Sequence, residues 1–195
     1  MKVLGFAAIV TVALFTAIGC SDKTPAPQAK ECVRDGETAP QWVCAPYFDE
    51  KHIAGLGYAK KNKGGDYSFQ LKQAQGDGRT DIANTMSVSV RAALDSWKRN
   101  TGVGDDAVFE QNVEAVSRQT AFQNIAGSRP QYTWQHPSNG DLYVLMIAPV
   151  DQAEQAMMTS LQNKNALWQQ FQSAQAQEKL KEEFEKHLAT QNGGM

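Results

Sequence analysis

Histidine and cysteine are scarce in this chain of 195 residues, three of each, and they do not cluster. His52, His136 and His187 are far apart, and no CxxC spacing occurs, so a structural zinc site has no ready ligand set. No GxxxxGK(S/T) or GxGxxG loop follows the Gly55-Leu56-Gly57 segment, which excludes the common phosphate-binding loops. An excess of positive charge is also missing. Nineteen basic residues face 21 acidic ones, a net of −2, whereas nucleic-acid binding wants a basic face. The apolar run at residues 3–15 is shorter than the roughly 20 residues that a membrane-spanning helix needs.

What that run does fit is export. Lys2 supplies a short positive region, residues 3–15 an apolar one, and Ala17-Ile18-Gly19-Cys20 ends the hydrophobicity on small residues and a cysteine. This is the pattern of a lipoprotein signal peptide (residues 1–19), with lipidation expected on Cys20. Ala17 departs from the usual leading Leu, and the alternative is an ordinary secretory peptide that leaves Cys20 a free thiol. Buried acyl chains contribute about 0.8 kcal/mol per methylene, and two or more anchor stably. Ser21 follows the cysteine and Asp22 comes one place later, so the expected address is the outer membrane, periplasmic face. Cleavage before Cys20 would remove only Lys2 from the charge count, leaving 18 basic against 21 acidic residues, a net of −3.

Residues 20–30 carry two prolines and no large apolar side chain, and read as a lipidated, mobile tether. In an oxidising compartment Cys32 and Cys44 are expected to form a disulfide within a loop spanning 31–52. A metal site using both thiols and His52 is the competing use, short of a fourth ligand. Trp42 and Val43 are expected to pin this loop onto an α+β domain at 53–150.

Within that domain, residues 53–59 read as a strand with Ile53, Gly55, Gly57 and Ala59 on one side. A helix capped by Asp66 follows, with Tyr67, Leu71, Ala74, Gly78, Ile82 and Met86 at steps of three or four. Gly76 and Gly78 weaken its middle or mark a close crossing over the sheet. From Met86 to Leu94 the period changes to two, with Val88 and Val90 inside, which predicts a half-buried strand ended by Gly102 and Gly104. A helix at 107–125 buries Phe109, Val113, Val116 and Thr120. A hairpin at 129–150 turns at Ser138-Asn139-Gly140-Asp141, and its second strand, apolar throughout, is expected to be central.

Asp151 is expected to cap a helical tail (151–195) with two apolar stripes, Met157/Leu161/Trp168/Phe171 and Leu180/Phe184/Leu188. On one ideal helix these stripes point in opposite directions. A bend near 173–177, or a second partner, follows. The last stripe is either an ordinary buried seam or a seam for self-association. The fold class is therefore α+β: a small, mostly antiparallel sheet in β-α-β-α-β-β-α order, helices on one face, and a long C-terminal helical tail.

Ala17-Ile18-Gly19-Cys20, Pro40, Trp42, Val43, Gly55, Gly57 and the Asn-Gly-Asp-Leu-Tyr-Val-Leu run at 139–145 together resemble the LPP-twenty family of bacterial outer-membrane lipoproteins. The likeness covers residues 38–150. It implies an outer-membrane lipoprotein whose folded domain assembles with its own copies, in some members around the flagellar motor. It carries over no catalytic residue. The Cys32/Cys44 loop and the tail after Val150 depart from the family pattern.

Three functions compete. A structural or assembly lipoprotein draws on the lipidation signal, the tail and the resemblance. A binding module for an envelope protein or other envelope ligand would use Tyr132, Trp134 and His136 as an aromatic surface. An enzyme would need a nucleophile beside a base; the paired carboxylates Asp105-Asp106 and Glu182-Glu183 are adjacent residues that point apart. No catalytic residue, cofactor or metal is expected. The partners expected are the membrane, through lipid, and envelope proteins or further copies, with no nucleic acid.

Overall fold

A strand can be apolar along its whole length only if both faces of its sheet are covered, and that condition organises this molecule. The structure, a computed structural model, describes residues 31–101 and 107–193. Cys20, the signal and tether segments, and Gly102, Gly104, Asp105 and Asp106 lie outside the described residues.

The described chain opens with β1 (Val33–Arg34) and β2 (Glu37–Thr38), a small hairpin, and α1 (Gln41–Cys44). Then come β3 (His52–Ala59), α2 (Tyr67–Thr101), α3 (Ala107–Ile125), β4 (Arg129–Gln135) and β5 (Leu142–Pro149). The tail consists of α4 (Val150–Gln162), α5 (Asn165–Trp168), a 3₁₀ turn (Gln169–Phe171) and α6 (Ala174–Gly193). The fold is α+β, as the sequence predicts. Loop, sheet and tail share one compact unit, Glu31–Met195.

β3, β5 and β4 form an antiparallel sheet in that order, so β5 is the central strand. Its alternate side chains enter different cores. Leu142, Val144, Met146 and Ala148 meet the helices. Tyr143, Leu145 and Ile147 meet the disulfide loop.

On the helix side, α2 lies on β3 at backbone contact. A Cβ at Gly57 would stand 1.9 Å from the Ala74 carbonyl oxygen, and one at Gly55 would stand 2.5 Å from that of Gly78. The expected close crossing thus belongs to Gly55, Gly57 and Gly78; Gly76 has open space around it. The approach lets α2 finish the strand's outer edge. Asp81 accepts a hydrogen bond from Leu56 N and Asp77 one from Tyr58 N, both at 2.9 Å. Carboxylates four apart on a helix and amides two apart on a strand have nearly the same spacing, about 6–7 Å. Asp66 caps α2 as predicted, accepting from Phe69 N.

One expected element is absent. Residues 86–94 continue α2 instead of forming a strand. Met86, Val90 and Leu94 fit both periods, but the buried set also contains Ser89, Ala93 and Trp97, whereas Val88 is 51% exposed. The deciding contacts come from the tail: Trp97 lies 4.3 Å from the Phe171 ring, and α6 packs along α2. From His52 the order is therefore β-α-α-β-β followed by tail helices.

The tail breaks at Asn163-Lys164 and again at Gln172-Ser173, where Ser173 Oγ accepts from Ala176 N. The second break agrees with the expected bend. Both apolar stripes reach the same core: Met157, Leu161 and Phe171, together with Leu180, Phe184 and Leu188, are all buried there. The self-association seam is thus filled from within the chain. Asp151 is not the cap of α4, which begins one residue earlier behind Pro149; it sits in the first turn and accepts from Gln152 N.

Candidate functional site

The disulfide loop builds the second face of the sheet. Cys32 is bonded to Cys44, with Cα atoms 5.7 Å apart, so neither thiol is free for the metal site weighed above. Asp35-Gly36 turns the β1–β2 hairpin with both residues at positive φ, 47° and 86°. Such an Asp-Gly turn is among the strongest hairpin signals in a sequence, and sequence reasoning missed it here. Val43 is fully buried beneath the loop, and Trp42 packs against Ala54, Leu145 and Ile147. Both residues pin the loop as expected.

The proposed aromatic surface divides. Tyr132 is exposed and borders Trp42 and Phe48, at ring distances of 6.3 and 6.0 Å. Trp134 lies half-buried against Tyr143 and the His136 ring. His136 is not a surface residue. It is 1% exposed, its Nε2 donates to Arg34 O at 3.0 Å, and its Nδ1 accepts from Ser138 N and Asn139 N. One tautomer thus ties the hairpin turn to the disulfide loop. Nearby, Tyr58 donates to Asp141 at 2.7 Å; burial first, and that acceptor second, push its phenol above the usual tyrosine range.

His187 comes nearest to a catalytic arrangement. Its Nε2 is 3.4 Å from Ser96 Oγ and 3.8 Å from a Glu183 oxygen. A working triad needs the carboxylate on the other ring nitrogen, Nδ1, where it orients the base. Here serine and glutamate share one nitrogen, and Arg99 also donates to Ser96 Oγ. The geometry is that of a polar helix–helix contact. Among the described residues no group of three His, Cys, Asp or Glu side chains could hold a metal ion.

A cleft of about 640 Å³ opens between the end of the loop and the tail. Tyr47, Val150 and Leu188 form its apolar wall, and Asp49, Glu50 and Glu185 bring carboxylates. An adjoining cavity adds His52, Asp151 and Glu154. His52 Nδ1 lies 2.6 Å from Asp49, and that hydrogen bond holds the Asp49 carboxyl below its ordinary value. Glu154 moves the other way. Burial, then a hydrogen bond and like charge from Glu185, push it up to about 7 against the opposing pull of Lys181. The two adjoining cavities therefore bring the Glu154 and Glu185 carboxyls together at the junction of α4 and α6.

Among the described residues no helix is long and apolar enough to cross a membrane. No known protein-family profile matches the chain, and no curated protein matches it.

Proposed function

We propose that this protein is a lipid-anchored envelope protein, exported and acylated on Cys20, whose folded body serves assembly rather than chemistry. The carrying observation is the sequence Ala17-Ile18-Gly19-Cys20 at the end of an apolar run too short to span a bilayer. The Cys32–Cys44 bond supports the same reading, because disulfides persist in exported proteins and are rare in reducing compartments. Ser21 and the resemblance to the LPP-twenty family favour the outer membrane, periplasmic face, and a structural role, with the flagellar motor as one setting. The misarranged Ser96–His187–Glu183 contact favours a non-enzymatic role.

Metabolic labelling with palmitate tests the anchor. The wild-type chain should take up label and stay with membranes through a carbonate wash, whereas Cys20→Ser should lose the label and wash off. Unlabelled protein held equally firmly in both forms sinks the proposal. The second reading is a module that binds an envelope ligand, favoured by the Trp42–Phe48–Tyr132 cluster at the border of the loop. On that reading Tyr132→Ala abolishes capture of the ligand and leaves acylation intact.

A further inference from the structure

The two edges of the main sheet are finished differently. On β3 the outward amides of Leu56 and Tyr58 are already bound by Asp81 and Asp77. On β4, among the described residues, the only interstrand pairing is with β5, and no side chain or loop bonds the outer edge. Pro130, Tyr132, Thr133 and Gln135 are exposed. Thr133 faces the helix side, opposite Val144, yet stays open because α2 lies over β3 and β5. An edge of this kind is a template for another strand unless something blunts it.

The open stretch Gln131, Tyr132, Thr133, Trp134, Gln135 is symmetric in residue type, with an aromatic on each side of Thr133. Antiparallel pairing with an identical strand, centred on Thr133, sets Tyr132 of one copy against Trp134 of the other. Thr133 then meets Thr133, while Gln131 is the bulged residue. Aromatic pairs and Thr–Thr pairs are among the cross-strand neighbours that stabilise antiparallel sheets. No charged residue lies between Pro130 and Gln135, so the two-fold axis brings no like charges together. We propose that β4 is a self-complementary edge through which two copies of this chain join into a six-stranded antiparallel sheet.

The same features limit the assembly. Pro130 and the bulge at Gln131 blunt the start of the strand and confine regular pairing to the residues around Thr133. Both β4 edges are used up in the dimer, and both outer β3 edges carry carboxylate caps, so the sheet closes instead of growing. The aromatic border continues across the join, because Trp42 already abuts Tyr132 on the loop side. The dimer rests on the assembly role proposed above and names the partner as a second copy.

The full chain, extracted in detergent, is measured by light scattering after size exclusion. Wild type is expected to run as a dimer. Thr133→Lys and Thr133→Glu should each weaken it by about tenfold or more, and an equimolar mixture of the two should restore it. Facing residues in such a pair have Cα atoms about 4.5–5.5 Å apart, within disulfide reach. Thr133→Cys should therefore oxidise to a covalent dimer, whereas Val88→Cys, exposed on α2, should not. A palmitate-labelled wild type that stays monomeric overturns the edge pairing and leaves the anchor standing. A dimer indifferent to Thr133→Lys also overturns it. An unlabelled chain that dimerises through residue 133 keeps the edge and discards the anchor.

Discussion

The two faces of the central sheet are held by different means. On the helix face, backbone meets backbone at Gly55, Gly57 and Gly78, and a continuous apolar core runs from α2 to the last helix. On the loop face, residues 31–51, with little regular structure, are fastened by one disulfide, a few aromatic contacts and His136. Close packing tolerates no added atom, whereas a stapled loop tolerates loosening. The contrast predicts a graded series of effects.

The largest belongs to the glycine crossing. Gly57→Ala places a Cβ 1.9 Å from a carbonyl oxygen in the rigid backbone of α2, so something must separate. The loss should be about 4 kcal/mol or more, or no folding at all, read by urea denaturation. Gly76→Ala, in the same helix with open space around it, should stabilise by about 0.5–1 kcal/mol. Equal effects at the two positions would rule out the close crossing as the cause.

Breaking the staple comes next. The bonded cysteines are 12 residues apart, and removing both as Cys32→Ser/Cys44→Ser should cost about 3 kcal/mol. Hydrogen exchange should show the loop opening while α2 and α6 stay protected.

His136→Ala removes one donor and one acceptor from the join between hairpin and loop. A loss of about 1–3 kcal/mol is expected, because Arg34 O and two turn amides lose their partner. Loop exchange should rise further than helix exchange.

The smallest effect is on pH. The folded-state value of Glu154, about 7, lies above the ordinary glutamate value. Its contribution is therefore complete below the ordinary glutamate range and is lost as pH rises through about 7. Tm should fall by a few degrees between about pH 5 and pH 8, and Glu154→Gln should flatten that slope. A slope of opposite sign would mean that another group dominates the pH dependence.

Much of the fold was legible because local signals and tertiary packing agreed. The central strand announced itself by lacking polar residues, the hairpin by Asn139-Gly140, and the helix cap by Asp66. Residues 86–94 were misread because Met86, Val90 and Leu94 satisfy two periods at once, and only Trp97, Phe171 and α6 choose between them. The sheet edges were invisible for a related reason. Nothing local distinguishes Asp77 and Asp81 from solvated charge until the glycines bring their helix within reach of Leu56 and Tyr58. His136 shows the same limit, since its acceptor lies about a hundred residues away in the chain.

By itself the sequence determined the short apolar run ahead of Cys20, the α+β class, the all-apolar strand and the pairing available to Cys32 and Cys44, because each is written in contiguous residues or in the count of one residue type. The tertiary structure alone decided that α2 runs unbroken, that both tail stripes enter one core, and that one sheet edge is sealed while the other stays open. Those outcomes depend on which distant surfaces meet, and periodicity within a segment carries no information about its partner.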